Sequence, residues 1–331
     1  VEPMLQTETK CERKVVSAVA RTCALILWMA SSVALADPLP PKTTPNAIEL
    51  NLLVYNTHGL PTIFARDKPH ERFPKIGDLT TTFDLSMLQE DFAHHELLNR
   101  YVDRSAQVQR GENQATPKCF ICSGSGLTFV SNLSPERWLT RMTFEPFEKC
   151  SGWLSGANDC FAQKGFQLIE LSSKSGHRIY LVNTHLDAGG DQRDRDVRAA
   201  QLEQIANALE TYAEGAAVIL AGDLNLAWEN RADRSLLQKF ASRLNLTLAQ
   251  KGGDAGNDWQ TLDYIYYRSG DDAVLLKADS GEVDALTVDL KPLSDHPALY
   301  AKIFVEYPHQ LKYRRTFLED VRGRFKSERH H

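Results

Sequence analysis

The most informative segment of the chain is Ala217-Val-Ile-Leu-Ala-Gly-Asp-Leu-Asn225. Its first five residues are apolar, which is typical of a buried strand. Directly after them, Asp223 and Asn225 place a carboxylate and a carboxamide two positions apart. Such residues at a strand end usually form turns, and they also build functional sites. The stretch therefore predicts a buried strand, Ala217–Ala221, with chemistry at its carboxyl end.

Further apolar stretches on both sides of this one are predicted as strands, and several have polar residues at one end. Asn56 and Glu90 follow two of them, His185 follows a third, and Asp263 opens a fourth. A single polar residue at a strand end is readily explained as part of a turn. Six strand ends that share carboxylates, carboxamides and imidazoles indicate a functional site instead. The predicted strands are Ile48–Tyr55, Phe83–Leu88, Gly126–Ser131, Phe166–Leu171, Ile179–Thr184, Leu262–Tyr267 and Ala298–Val305, the last preceded by Ser294-Asp295-His296.

Two helices are predicted among these strands. Leu202, Ile205, Leu209 and Tyr212 recur at helical spacing, with acidic residues at the start near Asp194. A second helix carries Leu236, Leu237 and Phe240. Many strands interleaved with few helices indicate one large α/β or α+β domain.

The composition is that of an ordinary globular protein. Of 331 residues, 42% are hydrophobic and 24% charged, which excludes disordered and coiled-coil classes. The formal net charge of -5 argues against a protein that binds nucleic-acid backbone through bulk electrostatics. We therefore expect no stable nucleic-acid complex, and we expect a monomer.

The two ends of the chain differ in character from the middle. A positive start, the apolar stretch 23–30 and Ala34-Leu35-Ala36 predict a signal peptide over residues 1–36, with a membrane anchor as the alternative. Export predicts a secreted or periplasmic location. The rest of the chain is interpreted as one domain over 37–310, with no later transmembrane segment. Residues 311–331 are basic, with an aromatic and aliphatic stripe at four-residue spacing, which fits a helix docked on the domain or lying on a membrane.

Four cysteines follow the predicted signal peptide. An even number in an exported protein favours disulfides, whereas the spacing of the second pair fits a zinc site poorly. We predict that Cys150 pairs with Cys160 and Cys119 with Cys122, which is one of three connectivities.

Taken together, the motifs resemble the endonuclease/exonuclease/phosphatase superfamily of metal-dependent phosphate ester hydrolases. Two further segments, Gly124-Ser-Gly-Leu127 and Lys164-Gly165-Phe166 with Asp159, are similar to its neutral and bacterial sphingomyelinase branch. The resemblance implies a four-layer α-β-β-α sandwich with two mixed central sheets. The superfamily segments are Tyr55-Asn56, Leu88-Gln89-Glu90, Asn183-Thr184-His185-Leu186, Gly222-Asp223-Leu224-Asn225, Leu262-Asp263-Tyr264 and Ser294-Asp295-His296.

The resemblance also implies roles for individual residues. Glu90 is the expected main ligand of Mg²⁺ or another divalent cation, with Asn56 beside it and Asp295 nearby. His296 is the expected general base, held by Asp263, because an imidazole suits activation of water. The remaining expected roles are positioning of water and phosphoryl oxygen by Asp223 and Asn225, phosphate or leaving-group contact by His185, and substrate binding by Lys164 restrained by Asp159.

These expectations favour a secreted phosphodiesterase that acts on sphingomyelin or a related phospholipid at a membrane surface. The alternatives are an exported nuclease or a phosphoinositide phosphatase of the same superfamily. A non-catalytic lipid-binding or partner-binding protein on the same scaffold is a third alternative. His58, His94 and His95 are expected to be surface histidines instead of ligands.

Overall fold

A computed structural model of the chain describes residues 47–61, 68–111, 124–152, 159–253, 260–271, 274–285 and 291–307. These ranges contain twelve strands and four α-helices. The strands are β1 Ile48–Asn56, β2 Leu85–Gln89, β3 Gln107–Arg110, β4 Thr128–Ser131, β5 Trp138–Pro146, β6 Gly165–Ser173, β7 Arg178–His185, β8 Ala217–Asp223, β9 Thr247–Lys251, β10 Asp263–Arg268, β11 Leu275–Val283 and β12 Ala298–Glu306. The helices are α1 Pro69–Thr80, α2 His95–Asn99, α3 Gln192–Tyr212 and α4 Arg231–Arg243.

The strands form two six-stranded sheets. The first has the order β11-β12-β1-β2-β4-β3, and the second has the order β5-β6-β7-β8-β10-β9. Each sheet contains one parallel pair, β1–β2 in the first and β7–β8 in the second, while its other pairs are antiparallel. Both sheets are therefore mixed, as predicted.

The core lies in three layers because side chains alternate along each strand. Leu52 and Val54 of β1 share one buried cluster with Leu181 of β7 and Ile219 of β8, which packs the two sheets face to face. Each fully buried aliphatic side chain of this kind contributes about 2 kcal/mol. On the outer faces, Phe73 and Ile76 of α1 cover the first sheet, and residues of α3 and α4 cover the second (Leu202, Ile205, Leu209, Leu237 and Phe240). The expected four-layer sandwich is confirmed.

Helix α3 begins at a capping box. The Asp191 side chain accepts a hydrogen bond from the main-chain N–H of Asp194, and Asp194 accepts one from the main-chain N–H of Asp191. Two N–H groups that lack partners inside the helix are thereby satisfied. The predicted acidic start of this helix is confirmed.

All eight predicted strands are present, and four strands were missed, namely β3, β5, β9 and β11. Each missed strand is the outermost strand of its sheet. Helices α1 and α2 were also missed, and α1 has a proline, Pro74, in its interior.

The signal-peptide prediction, the basic segment 311–331 and the Cys119–Cys122 pair lie outside the described residues. Within the described part of the chain, no helix is long and apolar enough to cross a membrane.

Candidate active site

Strand register brings three of the predicted residues into one row. His185 at the end of β7 lies opposite Asp223 at the end of β8, and Asp263 at the start of β10 lies opposite Asp223 on its other side. The parallel β7–β8 pair and the antiparallel β8–β10 pair thus place an imidazole and two carboxylates at one edge of the second sheet. All three side chains are buried.

The first sheet supplies Asn56 and Glu90 to the same place. Asn56 ends β1 and Glu90 follows the neighbouring strand β2 directly. Glu90 has a left-handed backbone, with φ of 57°, and its main-chain oxygen accepts a hydrogen bond from the N–H of Gly59. A Cβ on Gly59 would clash with that oxygen, so glycine is required there. Such uncommon backbone geometry is typical of functional sites.

Asn56 lies at the centre of the cluster. Its Nδ2 donates to Glu90 Oε1 at 3.1 Å and to Asp223 Oδ2 at 3.0 Å, and it lies 3.4 Å from His296 Nε2. The carboxamide therefore joins the two sheets and links a carboxylate from each with the imidazole. The predicted convergence of these four residues is what the structure shows.

His296 and Asp263 form a dyad. The Nδ1 atom of His296 is 2.9 Å from Asp263 Oδ2, and its Nε2 atom is 3.7 Å from Asp223 Oδ2. A carboxylate on Nδ1 fixes the ring orientation and directs Nε2 toward the cluster. This is the geometry expected of an oriented general base.

A second group of contacts places Lys164 beside His185. Lys164 Nζ is 2.6 Å from Asp159 Oδ1 and 3.1 Å from His185 Nε2, and it donates to Leu186 O at 2.8 Å. The lysine side chain is only 5% exposed. The predicted Asp159–Lys164 contact is therefore present, and it holds a buried positive charge at the wall of the cluster.

The electrostatics of the cluster follow from its burial. Desolvation raises the pKa of Glu90, and it raises the pKa of Asp223 to about 6. Burial would lower the pKa of His296, but Asp263 and Asp223 outweigh it and raise that pKa to about 10. Burial and the charge of Lys164 lower the pKa of His185 well below its ordinary value. His185 is thus neutral near pH 7, and its Nε2 can accept the hydrogen bond from Lys164.

These residues fit a divalent cation. Ligand atoms of Glu90, His185 and Asp223 lie within 4.8 Å of one another, and a second group of the same size joins Asp223, Asp263 and His296. Two buried carboxylates with raised pKa values lack sufficient positive charge around them, and a cation would supply it. The carboxylate oxygens of Glu90 and Asp223 are ligands of the kind that Mg²⁺ prefers. Asn56 presents its Nδ2 to both carboxylates, and its Oδ1 accepts a hydrogen bond from the N–H of His58 at 3.1 Å, so the metal role of Asn56 stays a prediction.

Two predicted residues point elsewhere in this structure. Asp295 is bound through its Oδ2 to His58 Nδ1 at 3.1 Å and is 45% exposed. The Asn225 Nδ2 donates to Leu186 O at 3.0 Å, although its main-chain N–H binds Asp223 Oδ1 at 2.9 Å. The metal role of Asp295 and the phosphoryl role of Asn225 therefore stay predictions.

The expectation that His94 and His95 lie on the surface was wrong. His94 is buried against the ring of Phe73, with 5.0 Å between ring centroids. The Nδ1 atom of His95 lies 2.5 Å from Asp91 Oδ2, in a pocket that leaves 12% of the histidine side chain exposed. The His-Glu-Leu-Leu-Asn sequence gave no sign of this burial because its helix is only five residues long.

A set of buried carboxamides lies beneath the site, and no role was predicted for them. Gln89 Nε2 donates to Asn183 Oδ1 at 2.7 Å, and Asn183 Nδ2 donates to Gln167 Oε1 at 2.8 Å. These contacts cross from β2 to β7 and β6, so they fix one sheet against the other directly below Glu90 and His185. A carboxamide inside an otherwise apolar strand is the signal that could have identified them.

Comparisons with known proteins agree with this geometry. Residues 147–252 match Endonuclease/Exonuclease/phosphatase family 2. A sphingomyelinase of Mycobacterium tuberculosis is 28% identical over 265 residues, which are 75% of this chain and 51% of the relative. The chain thus spans about half the length of that curated relative.

Solved structures share the fold at lower identity. A Staphylococcus aureus beta toxin mutant with bound magnesium ions superposes with a TM-score of 0.58 at 16% identity, covering 77% of this chain and 99% of that one. Danio rerio TDP2 complexed with a single-strand DNA product gives 0.54 at 16% identity, covering 77% and 98%. In sequence motifs and in fold, the chain resembles the endonuclease/exonuclease/phosphatase superfamily, and within it the sphingomyelinase branch.

Proposed function

We propose that this chain is a metal-dependent phosphodiesterase that hydrolyses sphingomyelin or a related phospholipid and releases the phosphorylated head group. One observation carries the proposal: Asn56, Glu90, Asp223 and His296 from two sheets lie within hydrogen-bonding reach of one centre. The lipid substrate is supported by the relative named a sphingomyelinase and by the Lys164-Gly165-Phe166 segment.

Hydrolysis of a phosphodiester requires an aimed water, charge neutralisation at the phosphoryl oxygens and a stabilised leaving group. A divalent cation held by the carboxylates of Glu90 and Asp223, which Asn56 holds in place, would supply Lewis-acid stabilisation of the phosphoryl charge. The water that attacks phosphorus would transfer its proton to Nε2 of His296. The bond from phosphorus to the alcohol oxygen of the lipid would break, and that oxygen would take up a proton from solvent. Asp263 would accept the hydrogen bond from Nδ1 and stabilise the imidazolium as it forms.

The state of His296 depends on its neighbours. The carboxylates of Asp263 and Asp223 raise its pKa to about 10, so the ring carries a proton at neutral pH while both are uncompensated. Neutralisation of the Asp223 charge lowers that pKa, and Nε2 can then act as a base. On this proposal, cation binding and base activation are coupled through Asp223.

Lys164 and His185 lie side by side at the cluster, with 3.1 Å between Lys164 Nζ and His185 Nε2. The neighbouring carboxylates Asp159, Asp187 and Glu90 outweigh burial and raise the pKa of Lys164, so it stays charged. We assign Lys164 the role of a positive charge that contacts a phosphoryl oxygen of the substrate, and Asp159 fixes its position. His185 would contact the phosphate or the leaving oxygen beside it.

The disulfide supports an oxidising compartment. Cys150 and Cys160 are bonded, with 5.3 Å between their Cα atoms. Structural disulfides persist mainly outside the cytosol. We therefore propose that the protein works in a secreted or periplasmic setting.

The test is hydrolysis of sphingomyelin, phosphatidylcholine, a phosphoinositide and duplex DNA side by side, with and without EDTA. The proposal predicts a phosphorylated head group released from a choline lipid, lost with EDTA and restored by excess Mg²⁺. The His296→Gln variant is the control for contaminating activity. Turnover of DNA but not of lipid would instead favour the nuclease alternative, and binding of lipid without turnover would favour a binding protein.

A further inference from the structure

An arginine outside the reacting cluster bridges two of the segments that build it. Arg72 lies on α1, and only 7% of it is exposed. Its Nη1 atom donates to Thr57 O at 2.9 Å and to Leu293 O at 2.5 Å, and its Nη2 atom donates to His58 O at 2.9 Å. One guanidinium group thus binds three main-chain carbonyls.

Those carbonyls belong to the two segments that carry the expected metal ligand and the expected base. Thr57 and His58 follow Asn56 directly, whereas Leu293 precedes His296 by three positions. The two segments lie far apart in sequence, since Thr57 precedes Arg72 by 15 positions and Leu293 follows it by 221. Arg72 therefore joins the end of β1 to the loop before β12.

The same two segments meet once more at the surface of the site. His58 Nδ1 lies 3.1 Å from Asp295 Oδ2, and His58 has a left-handed backbone with φ of 48°. An uncommon conformation of this kind persists only where surrounding contacts hold it. The donation from Arg72 to the carbonyl of His58 is such a contact.

The chemistry of arginine suits this task. The guanidinium is planar, always charged and presents its N–H groups in fixed directions, so it can hold several acceptors in one geometry. A lysine has a single point charge on a flexible stem and cannot reproduce that fork. Burying a charge is costly unless hydrogen bonds compensate it, and main-chain carbonyls near a site supply compensation together with rigidity.

We propose that Arg72 is a positioning residue of the site, holding Asn56 and His296 in the relative placement that metal binding and proton transfer require. Its consequence is visible in the 3.4 Å between Asn56 Nδ2 and His296 Nε2. The inference rests on the proposed phosphodiesterase function for its kinetic readout, but its metal-binding readout does not need the substrate.

The chain offers a matched control in Arg268. This residue ends β10 at the opposite end from Asp263, and its guanidinium also binds three main-chain carbonyls. The acceptors are Ala213 O at 2.7 Å, Leu244 O at 2.8 Å and Ala216 O at 3.2 Å. Removing Arg268 breaks the same kind of contact without touching the segments after Asn56 or before His296.

The experiment compares Arg72→Met, Arg72→Lys and Arg268→Met in the full chain. Three quantities are measured: the thermal midpoint, Mn²⁺ affinity by titration calorimetry, and kcat and KM with sphingomyelin in mixed micelles. We expect both Arg72 variants to lose about 10-fold to 100-fold in kcat and in Mn²⁺ affinity, as outer contacts of metal sites commonly do. The expected KM changes little, and Arg268→Met lowers the thermal midpoint while keeping kcat and Mn²⁺ affinity.

Folded Arg72 variants that keep wild-type kcat and Mn²⁺ affinity would overturn the inference. So would an Arg268→Met variant with the same losses, because the effect would then report general stability. If Arg72→Met does not fold, Arg72→Lys decides, since it retains the charge and most of the volume. A wild-type protein that binds Mn²⁺ without cleaving lipid would remove the proposed function, and the Mn²⁺ titrations would still decide the role of Arg72.

Discussion

The Nδ1 atom of His296 and the Oδ2 atom of Asp263 lie 2.9 Å apart across 33 residues of sequence. Asp263 begins β10 in the second sheet, while His296 precedes β12 in the first sheet. The dyad therefore forms only when the two sheets are packed against each other. Any change that shifts one sheet on the other should reduce catalysis before it unfolds the protein.

Replacing His296 should remove the base and leave the metal site intact. We expect His296→Gln to lower kcat by about 10²-fold to 10⁴-fold, the usual contribution of a positioned proton acceptor. The Mn²⁺ affinity should be kept or increased, because a charged imidazole beside Asp223 opposes cation binding and glutamine is neutral. Stopped assays of head-group release and calorimetry measure the two quantities. A variant with near wild-type kcat would refute the assignment.

Replacing Asp263 should also move the pH dependence. The Asp263 carboxylate helps to raise the pKa of His296, so Asp263→Asn lowers that pKa. A base must be unprotonated to act, and activity falls below its pKa. The acidic limb of the kcat profile should therefore shift to lower pH in Asp263→Asn, with a lower plateau because the ring is no longer oriented. An unshifted limb would mean that another group controls it.

Removing a buried carboxylate should weaken cation binding and turnover together. Glu90→Gln keeps the shape and the hydrogen bond from Asn56 but removes the negative charge. We expect higher Mg²⁺ concentrations for half-maximal activity and a rate at least about 10-fold lower at saturation. Because burial of Glu90 is unfavourable to its charge, the same variant should keep or raise the thermal midpoint of the metal-depleted protein. Wild-type Mg²⁺ dependence would contradict the ligand role.

The inner strands were predictable from sequence and the edge strands were not. Each inner strand packs on both faces and leaves an apolar stretch, as Ala217 to Ala221 does. The edge strand Gln107–Arg110 contains three polar residues among four. In β5, buried and exposed positions alternate from Trp138 to Arg141 because one face packs on the core and the other faces solvent, but the residue types do not follow this alternation, since Leu139 is exposed and Thr140 is buried. The hydrophobic pattern of a sequence reflects burial, so it does not predict strands whose residues are only partly buried.

The site divides in a similar way. Residues at strand ends, such as Asn56 and Asp223, were predictable because the fold positions them through register. Arg72 was not, since an arginine on a helix is normally a solvated charge, and only the packing of α1 reveals that it is buried. His95 was missed for a related reason: its partner Asp91 is supplied by the turn after Glu90, which no sequence period describes.

The start of α3 predicts an acid-dependent part of the stability. The hydrogen bonds from Ser151 and from the main chain of Asp191 outweigh burial and lower the pKa of Asp194. A carboxyl group with a lower pKa in the folded state stabilises the protein above its unfolded pKa, near ~4. That stabilisation is lost as the pH falls through the lower folded pKa.

Asp194→Asn should therefore cost about 1 kcal/mol at pH 7, because the hydrogen bonds from Ser151 and from the N–H of Asp191 lose their charged acceptor. The difference from wild type should shrink as the pH falls below about 4. Urea unfolding at pH 7 and at lower pH measures both values. A difference that does not change with pH would show that the charge of Asp194 contributes nothing. Asp196 is exposed on the same helix, so Asp196→Asn is the control and should change the free energy of unfolding little.

The disulfide Cys150–Cys160 should support both stability and the position of Lys164. Just after Cys150, Ser151 donates through its N–H to Asp187 Oδ2 at 2.6 Å. Just before Cys160, Asp159 binds Lys164 Nζ at 2.6 Å. The bond closes a loop across a sequence separation of 10, for which chain entropy gives about 3 kcal/mol.

We expect the free energy of unfolding of Cys150→Ser/Cys160→Ser, measured with urea, to fall by about 3 kcal/mol. We also expect this variant to lose kcat/KM on the lipid substrate, because Asp159 no longer holds Lys164. Lys164→Met, which keeps the length but not the charge, should lower kcat/KM at least about 10-fold. It also leaves the buried Asp159 carboxylate without its ion-pair partner, so it should lower the free energy of unfolding, and kcat/KM is compared where both proteins are folded. Non-reducing peptide maps of the wild type test the Cys150–Cys160 bond together with the predicted Cys119–Cys122 pair.

If the double serine variant and Lys164→Met both retain full kcat/KM, the loop is only structural and the sphingomyelinase-like assignment of Lys164 fails. If only the double serine variant retains it, Asp159 is held by its second contact, the N–H of Ala188 at 2.8 Å, and the disulfide serves stability alone.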